Sequence, residues 1–181
     1  MKRLDKYLLY ISSFILASFL FFKLYQLSGI INLFPSYDFS SHISNLFFLK
    51  EYGFHNIAPN WYNGMVVLRL YPPGFFIYSL IYTLMIKNIQ LAFYISFLSI
   101  FVVGFFGIYL IGKCLKFSFD KVLFLFFLFY SNPIIIPWFY AIGRIPEMFA
   151  WSLSFYLIAI VLYYKDKKLD KKFFVYSAII L

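Results

Sequence analysis

Apolar residues in this chain come in long unbroken runs, without the alternation of a half-buried strand. Runs at 7–27, 89–112, 122–140 and 148–164 each reach or approach the roughly 20 residues that carry a helix across a bilayer. A fifth run, 173–181, reads as the start of a further span, so the sequence reads as the amino-terminal part of one longer polytopic domain. The pattern predicts an all-α integral membrane protein, a multi-spanning helical bundle. One stretch breaks it. Residues 28–88 mix polar and apolar positions and form a long loop after the first helix, with one short apolar helix expected at 74–86. A run of that length is more often re-entrant or interfacial than spanning.

Charge orients these runs. Lys and Arg concentrate in the cytoplasmic loops of membrane proteins. If 74–86 does not cross, the amino terminus and the loops 113–121 and 165–172 share one side. That side holds eleven basic residues: Lys2, Arg3, Lys6, Lys113, Lys116, Lys121, Lys165, Lys167, Lys168, Lys171 and Lys172. The other side holds four, Lys50, Arg69, Lys87 and Arg144, with Lys23 inside the first span. If 74–86 crosses, the bias reverses to five against ten. The first arrangement is expected: a multi-pass cell-membrane protein with a cytoplasmic amino terminus, and with loop 28–88 and turn 141–147 extracytoplasmic.

Composition agrees. The chain is 64% hydrophobic, 26% aromatic and 13% charged, far from the balance of a soluble domain. Its net charge of +9 does not imply a nucleic-acid partner, because the basic residues flank apolar runs and form no separate basic face. The single cysteine, Cys114, excludes an internal disulfide. Run 7–27 exceeds the ~7–15-residue core of a cleavable leader, and no A-x-A site follows it.

Candidate chemistry therefore collects in loop 28–88. Pro35 precedes a stretch with helical spacing that ends near Gly53, and Ser36 or Asp38 can cap it. Phe39, Ile43, Leu46 and Phe47 form its apolar face, while Asp38, His42 and Asn45 share the opposite one, as in an amphipathic helix on a membrane surface. Two readings stand side by side. Asp38 is an N-cap and His42 an interfacial polar residue, or Asp38 is a general base that His42 orients, with His42 alternatively meeting a phosphate. No cofactor is expected. A divalent cation held by Asp38, His42, Glu51 and His55 is the alternative, although their spacing matches no ligand motif. Trp61 and Tyr71 suit a membrane interface, and Pro72-Pro73 stiffens the return toward the bilayer.

The order of these features resembles the first outer loop of GT-C type membrane glycosyltransferases: an acid after the first helix, a histidine four residues on, a helix ending in glycine, a tryptophan segment, then Tyr71-Pro72-Pro73 before an apolar helix. Within that superfamily the chain is most similar to the membrane proteins related to 6-pyruvoyl-tetrahydropterin synthase. The resemblance spans about 35–165 and implies a polyprenyl-phosphate-linked sugar donor, with Asp38 in the catalytic acidic position and Trp61 and Tyr71 on the substrate side. Asp38 is followed by Phe39 and Ser40, without the paired acid that many of these enzymes carry. A non-catalytic relative that binds lipid or assists envelope assembly is thus the alternative. A transporter is a weaker one, as no internal repeat is present.

The turn 140–147 completes the candidate set. Gly143 loosens the chain, Pro146 suits the first turn of a helix and Glu147 lies where the helix dipole favours an anion. Arg144 and Glu147, three apart, can pair. Either this is a capped helix start with a snorkelling arginine, or Arg144 binds a lipid-linked phosphate with Glu147 as its support or as a second carboxylate. The resembling membrane proteins carry a similar turn. The expected partners are membrane lipid and a lipid-linked sugar donor.

Overall fold

The computed structural model describes residues 3–30, 38–61, 64–69, 71–132, 134–135 and 137–180. Ser36 as a cap, and Tyr62, Asn63 and Leu70 of the long loop, lie outside the described residues. In chain order the elements are α1 (Arg3–Ile30), α2 (Phe39–Tyr52), a minimal hairpin of β1 (Ile57–Ala58) and β2 (Met65–Val66), α3 (Gly74–Met85), α4 (Ile89–Cys114), α5 (Phe119–Tyr130), a π-turn (Pro137–Ala141), α6 (Ile145–Tyr164) and α7 (Lys171–Ile180). The hairpin is antiparallel, pairing Ile57 with Val66 and Ala58 with Met65.

Among the described residues three helices are long and apolar enough to cross a membrane: Lys6–Gln26 within α1, Ile89–Cys114 and Ile145–Tyr164. Phe14 of α1 is 74% exposed, and most of this helix's apolar surface is uncovered. In water such a surface would drive aggregation, whereas in lipid it costs nothing.

α4 is the hub, packing against α2, α3, α5 and α6. Small residues admit its neighbours. At Gly104 a Cβ would collide with the Tyr130 hydroxyl, and at Gly107 it would stand 2.7 Å from Phe155 Cβ. The hydroxyls of Tyr130 and Ser152 hydrogen-bond at 2.6 Å, tying α5 to α6 across α4. Ser79 and Ser96 join α3 to α4 at 2.9 Å. Close backbone approach at glycine and hydroxyl pairs between helices are how helices associate where no hydrophobic force drives them together.

Contacts also fix the directions of the helices. Gly112 faces Val122 while Gly104 faces Tyr130, so α4 and α5 are antiparallel. Tyr156 donates to Val103 O at 2.8 Å and Cys114 to Ala159 O at 3.6 Å, so α4 and α6 are parallel. Lys6 interacts electrostatically with Asp120, and Ser131 donates to Leu16 O at 2.8 Å, so α1 and α5 are parallel. The start of α1 and the α4–α5 turn therefore lie at one end of the bundle, and the turn between the π-turn and α6 at the other.

Two elements differ from expectation. The run 122–140 reads as one span, yet α5 ends at Tyr130 and a π-turn occupies Pro137–Ala141. Pro133 and Pro137 bring no N–H for a helical ladder. The Asn132 side chain instead accepts from the Ile134 N–H at 2.8 Å, offering the backbone a local alternative. Helix α2 turns a different face inward. Its buried residues are His42, Leu46, Phe48 and Leu49, while Phe47 is 43% exposed. Packing against both α3 and α4 selects the 42–46–49 stripe, which carries the histidine inside.

α3 folds back along the start of α4. Phe75 in its first turn lies 5.7 Å from Phe93, two turns into α4 at most, so α3 and the entrance to α4 share one end of the bundle.

Candidate functional site

The site forms where the start of α2 meets the turn before α6. Asp38 occupies the N-cap position of α2 by backbone, but its carboxylate makes no capping hydrogen bond. Its N–H donates instead to Ile142 O at 3.2 Å. One turn on, His42 Nε2 lies 2.9 Å from Gly143 O. A carbonyl oxygen only accepts, so Nε2 carries the proton. The other ring nitrogen, Nδ1, is buried and has no hydrogen-bond partner among the described residues. Burial holds the ring below its ordinary pKa of 6.5, opposed by the Gly143 bond and by Asp38, and His42 is neutral at pH 7.

Gly143 adopts φ +87°, a left-handed conformation that glycine enters without penalty. The chain then turns into α6, with Pro146 in the first helical turn and Glu147 beside it. The Arg144 guanidinium carbon stands 3.8 Å above the Trp138 ring. Arg144 pairs with Glu147 Oε2 at 3.4 Å, and Trp138 Nε1–H donates to the same oxygen at 3.0 Å. Arg144 and Glu147 remain 44% and 39% exposed, so the guanidinium is oriented but open to a ligand.

Tyr71 closes the third side. Its ring lies 5.7 Å from His42 and 5.6 Å from Phe76. Burial pushes its hydroxyl pKa upward. Asp38 and Glu147 push it the same way while Arg144 opposes them, which puts all three charges in one neighbourhood around the ring. Asp38, His42, Tyr71, Arg144 and Glu147, drawn from three separate segments, are thus gathered at one end of the bundle.

Two cavities adjoin this cluster. One of about 420 Å³ is almost wholly apolar, lined by Phe129, Ile134, Ile135, Trp138, Phe139 and Trp151, with Glu147 at its edge. The break after α5 creates it. The other, of about 440 Å³, lies between α2 and the β-hairpin and contains Trp61, Arg69 and Tyr71. Trp61 packs against Phe48 at 5.2 Å and belongs to this second cavity, apart from the charged cluster.

The expected roles sort accordingly. His42 does not face an open ligand. With 1% of its surface exposed and its proton given to Gly143, it holds the Arg144 turn against α2. The four metal candidates do not converge: Glu51 follows Asp38 by thirteen positions of helix, roughly 20 Å at 1.5 Å per residue. Among the described residues no three His, Cys, Asp or Glu side chains cluster. Trp138 escaped the sequence reading because hydropathy placed it inside a span. The signal that could have found it is the pair Pro133 and Pro137 within that run.

No family model, curated protein or solved structure matches this chain.

Proposed function

We propose that the protein is an integral membrane glycosyltransferase of the GT-C type that takes its sugar from a polyprenyl-phosphate carrier at the extracytoplasmic face. The observation that carries this reading is the exposed Arg144 guanidinium, held by Trp138 and Glu147, two residues that also line an apolar cavity. A planar fork of donors suits a phosphate, and an apolar cavity beside it suits the isoprenoid tail of the same molecule. The helix directions support the orientation, because the amino terminus and loop 113–121 share the end that positive charge places in the cytoplasm. In this arrangement α2 lies in the extracytoplasmic loop at the headgroup level.

In the reaction Asp38 takes the proton of an acceptor hydroxyl. The hydroxyl oxygen bonds to the anomeric carbon, and the bond from that carbon to the phosphate oxygen breaks. The departing electron pair resides on the polyprenyl phosphate, whose charge Arg144 stabilises. Tyr71, whose hydroxyl stays protonated, borders the site beside His42.

The test is transfer of labelled sugar from a polyprenyl-phosphate donor by the full-length protein in proteoliposomes. Wild type transfers. Asp38→Asn retains insertion and abundance but loses transfer by roughly 10²–10⁴-fold, the range for a general base. Full activity in the Asn variant would remove Asp38 as the base. A second reading, a lipid-binding relative without transferase activity, is favoured by one observation: Glu147 is engaged by Trp138 and Arg144, leaving Asp38 without a second free carboxylate. It predicts donor binding without transfer in the same assay.

A further inference from the structure

The cavity between α2 and the β-hairpin has a chemistry of its own. Trp61 and Tyr71 are both partly exposed, at 36% and 39%, and both line it. Ser41 and Asn45, one turn apart on α2, line the opposite wall. Arg69 supplies a cation, and among the described residues it has no acidic partner; the one ion pair found there joins Arg144 to Glu147. The backbone before it is unusual. Leu68 is buried in the core yet sits at φ +58°, a left-handed conformation that costs a non-glycine residue about 1 kcal/mol or more. Strain of this kind persists where the surrounding structure demands it, and Leu68 and Arg69 both line the cavity.

We infer that this cavity binds a monosaccharide unit bearing an anionic group, a carboxylate or a phosphate ester. Aromatic rings pack against the apolar C–H face of a pyranose. Amide and hydroxyl side chains meet its hydroxyls, and a guanidinium without an acidic partner among the described residues meets the anion. The cavity volume of about 440 Å³ is ample for one sugar ring. Tyr71 borders both this cavity and the charged cluster at Asp38 and Arg144, so a sugar bound here lies next to the site of transfer. Calling that sugar the acceptor rests on the proposed function; its binding does not.

The experiment is saturation-transfer NMR on the full-length protein in neutral-lipid nanodiscs, with no donor present. The probes are glucuronic acid, glucose 1-phosphate, glucose and inorganic phosphate. We expect ring-proton signals from both anionic sugars, with at least roughly tenfold tighter binding than glucose. Arg69→Gln should erase that preference, Asn45→Ala should weaken all three sugars, and Lys87→Gln should change nothing. Trp61→Ala should abolish the signals. If it does not insert, Arg69→Gln and Asn45→Ala decide, since neither side chain belongs to the buried core. Inorganic phosphate competing as well as glucose 1-phosphate would reduce the site to a bare anion site and overturn the inference. So would equal binding of glucose and glucuronic acid, or a preference that survives Arg69→Gln. A protein that binds these probes but transfers no sugar would overturn the proposed reaction and leave this cavity's ligand standing.

Discussion

His42 Nε2 and the carbonyl oxygen of Gly143 lie 2.9 Å apart across 101 residues of chain, and this bond joins the start of α2 to the turn that presents Arg144. The neighbouring bond from Asp38 N–H to Ile142 O runs the same way. The carboxylate and the guanidinium thus reach one site because two backbone carbonyls of the 142–143 turn are claimed by α2.

That bond makes the site sensitive to acid. Protonating His42 adds an N–H at Nδ1, which is buried and has no acceptor among the described residues. The folded protein therefore takes up this proton at a lower pH than the unfolded chain does, whose value is the ordinary 6.5. The stability contributed by this group is complete above about pH 6.5 and is lost as the pH falls toward the depressed folded value. Thermal unfolding followed from pH 8 to pH 5 should show a loss below pH 6.5 that His42→Gln flattens, because a glutamine amide can donate to Gly143 without titrating. His42→Ala should cost about 2–3 kcal/mol at pH 7, from the lost bond and the space left behind. An identical pH profile in wild type and the Gln variant would assign the acid sensitivity elsewhere.

Gly104 carries a second prediction. Tyr130 crosses α4 over this glycine to reach Ser152, and a Cβ there would meet its hydroxyl and stand 2.8 Å from its Cζ. Gly104→Ala should destabilise the bundle by about 1–3 kcal/mol, the usual cost of overpacking. Adding Tyr130→Leu should recover part of that loss, since it removes the ring that the new methyl strikes. The double variant measured in the same detergent checks this: strictly additive losses would mean that the two positions do not touch.

Much of this architecture is legible in the sequence, and the places where it is not have physical causes. Long apolar runs announce α1, α4 and α6, because spanning length dominates any local preference. The Arg144–Glu147 pair follows from helical spacing alone and is present at 3.4 Å. The inward face of α2 could not be read the same way. In a helix this apolar on several sides, the choice between Phe47 and His42 is made by α3 and α4, not by the stripe itself. The apolar cavity was hidden for a related reason. Hydropathy averages over 122–140 and so hides both the end of α5 at Tyr130 and the π-turn from Pro137, between which the cavity beside Trp138 lies.

The third prediction tests topology. Cysteines placed at Ser41, Lys87 and Ser118 in a Cys114→Ser background occupy exposed positions on α2, between α3 and α4, and before α5. With Gly74–Met85 folded back at one end, an impermeant thiol reagent applied to intact cells should label Ser41 and Lys87 positions and spare Ser118. If α3 crosses the bilayer, Lys87 should be protected and Ser118 labelled. Lys87 is the position that separates the two arrangements, because Ser41 reports the same side in both.

The final prediction concerns the guanidinium itself. Arg144 stacks on Trp138 at 3.8 Å and pairs with Glu147, and both contacts use the flat, delocalised shape of its head group. Lysine keeps the charge but has neither the plane for stacking nor the fork for a phosphate. Arg144→Lys should weaken binding of a polyprenyl phosphate by roughly tenfold, the equivalent of one charge-assisted hydrogen bond, and Arg144→Gln should weaken it further. Trp138→Leu should produce an effect similar to the lysine variant, since it frees the guanidinium from its platform and lets Glu147 draw it away from the ligand. All three proteins should insert normally, because none adds a charge to a spanning helix. If Arg144 only snorkels to the headgroups, lysine does so equally well and its variant binds like wild type. Donor affinity measured on the purified full-length proteins separates the two, and wild-type affinity in both Arg144 variants would remove this residue from the site.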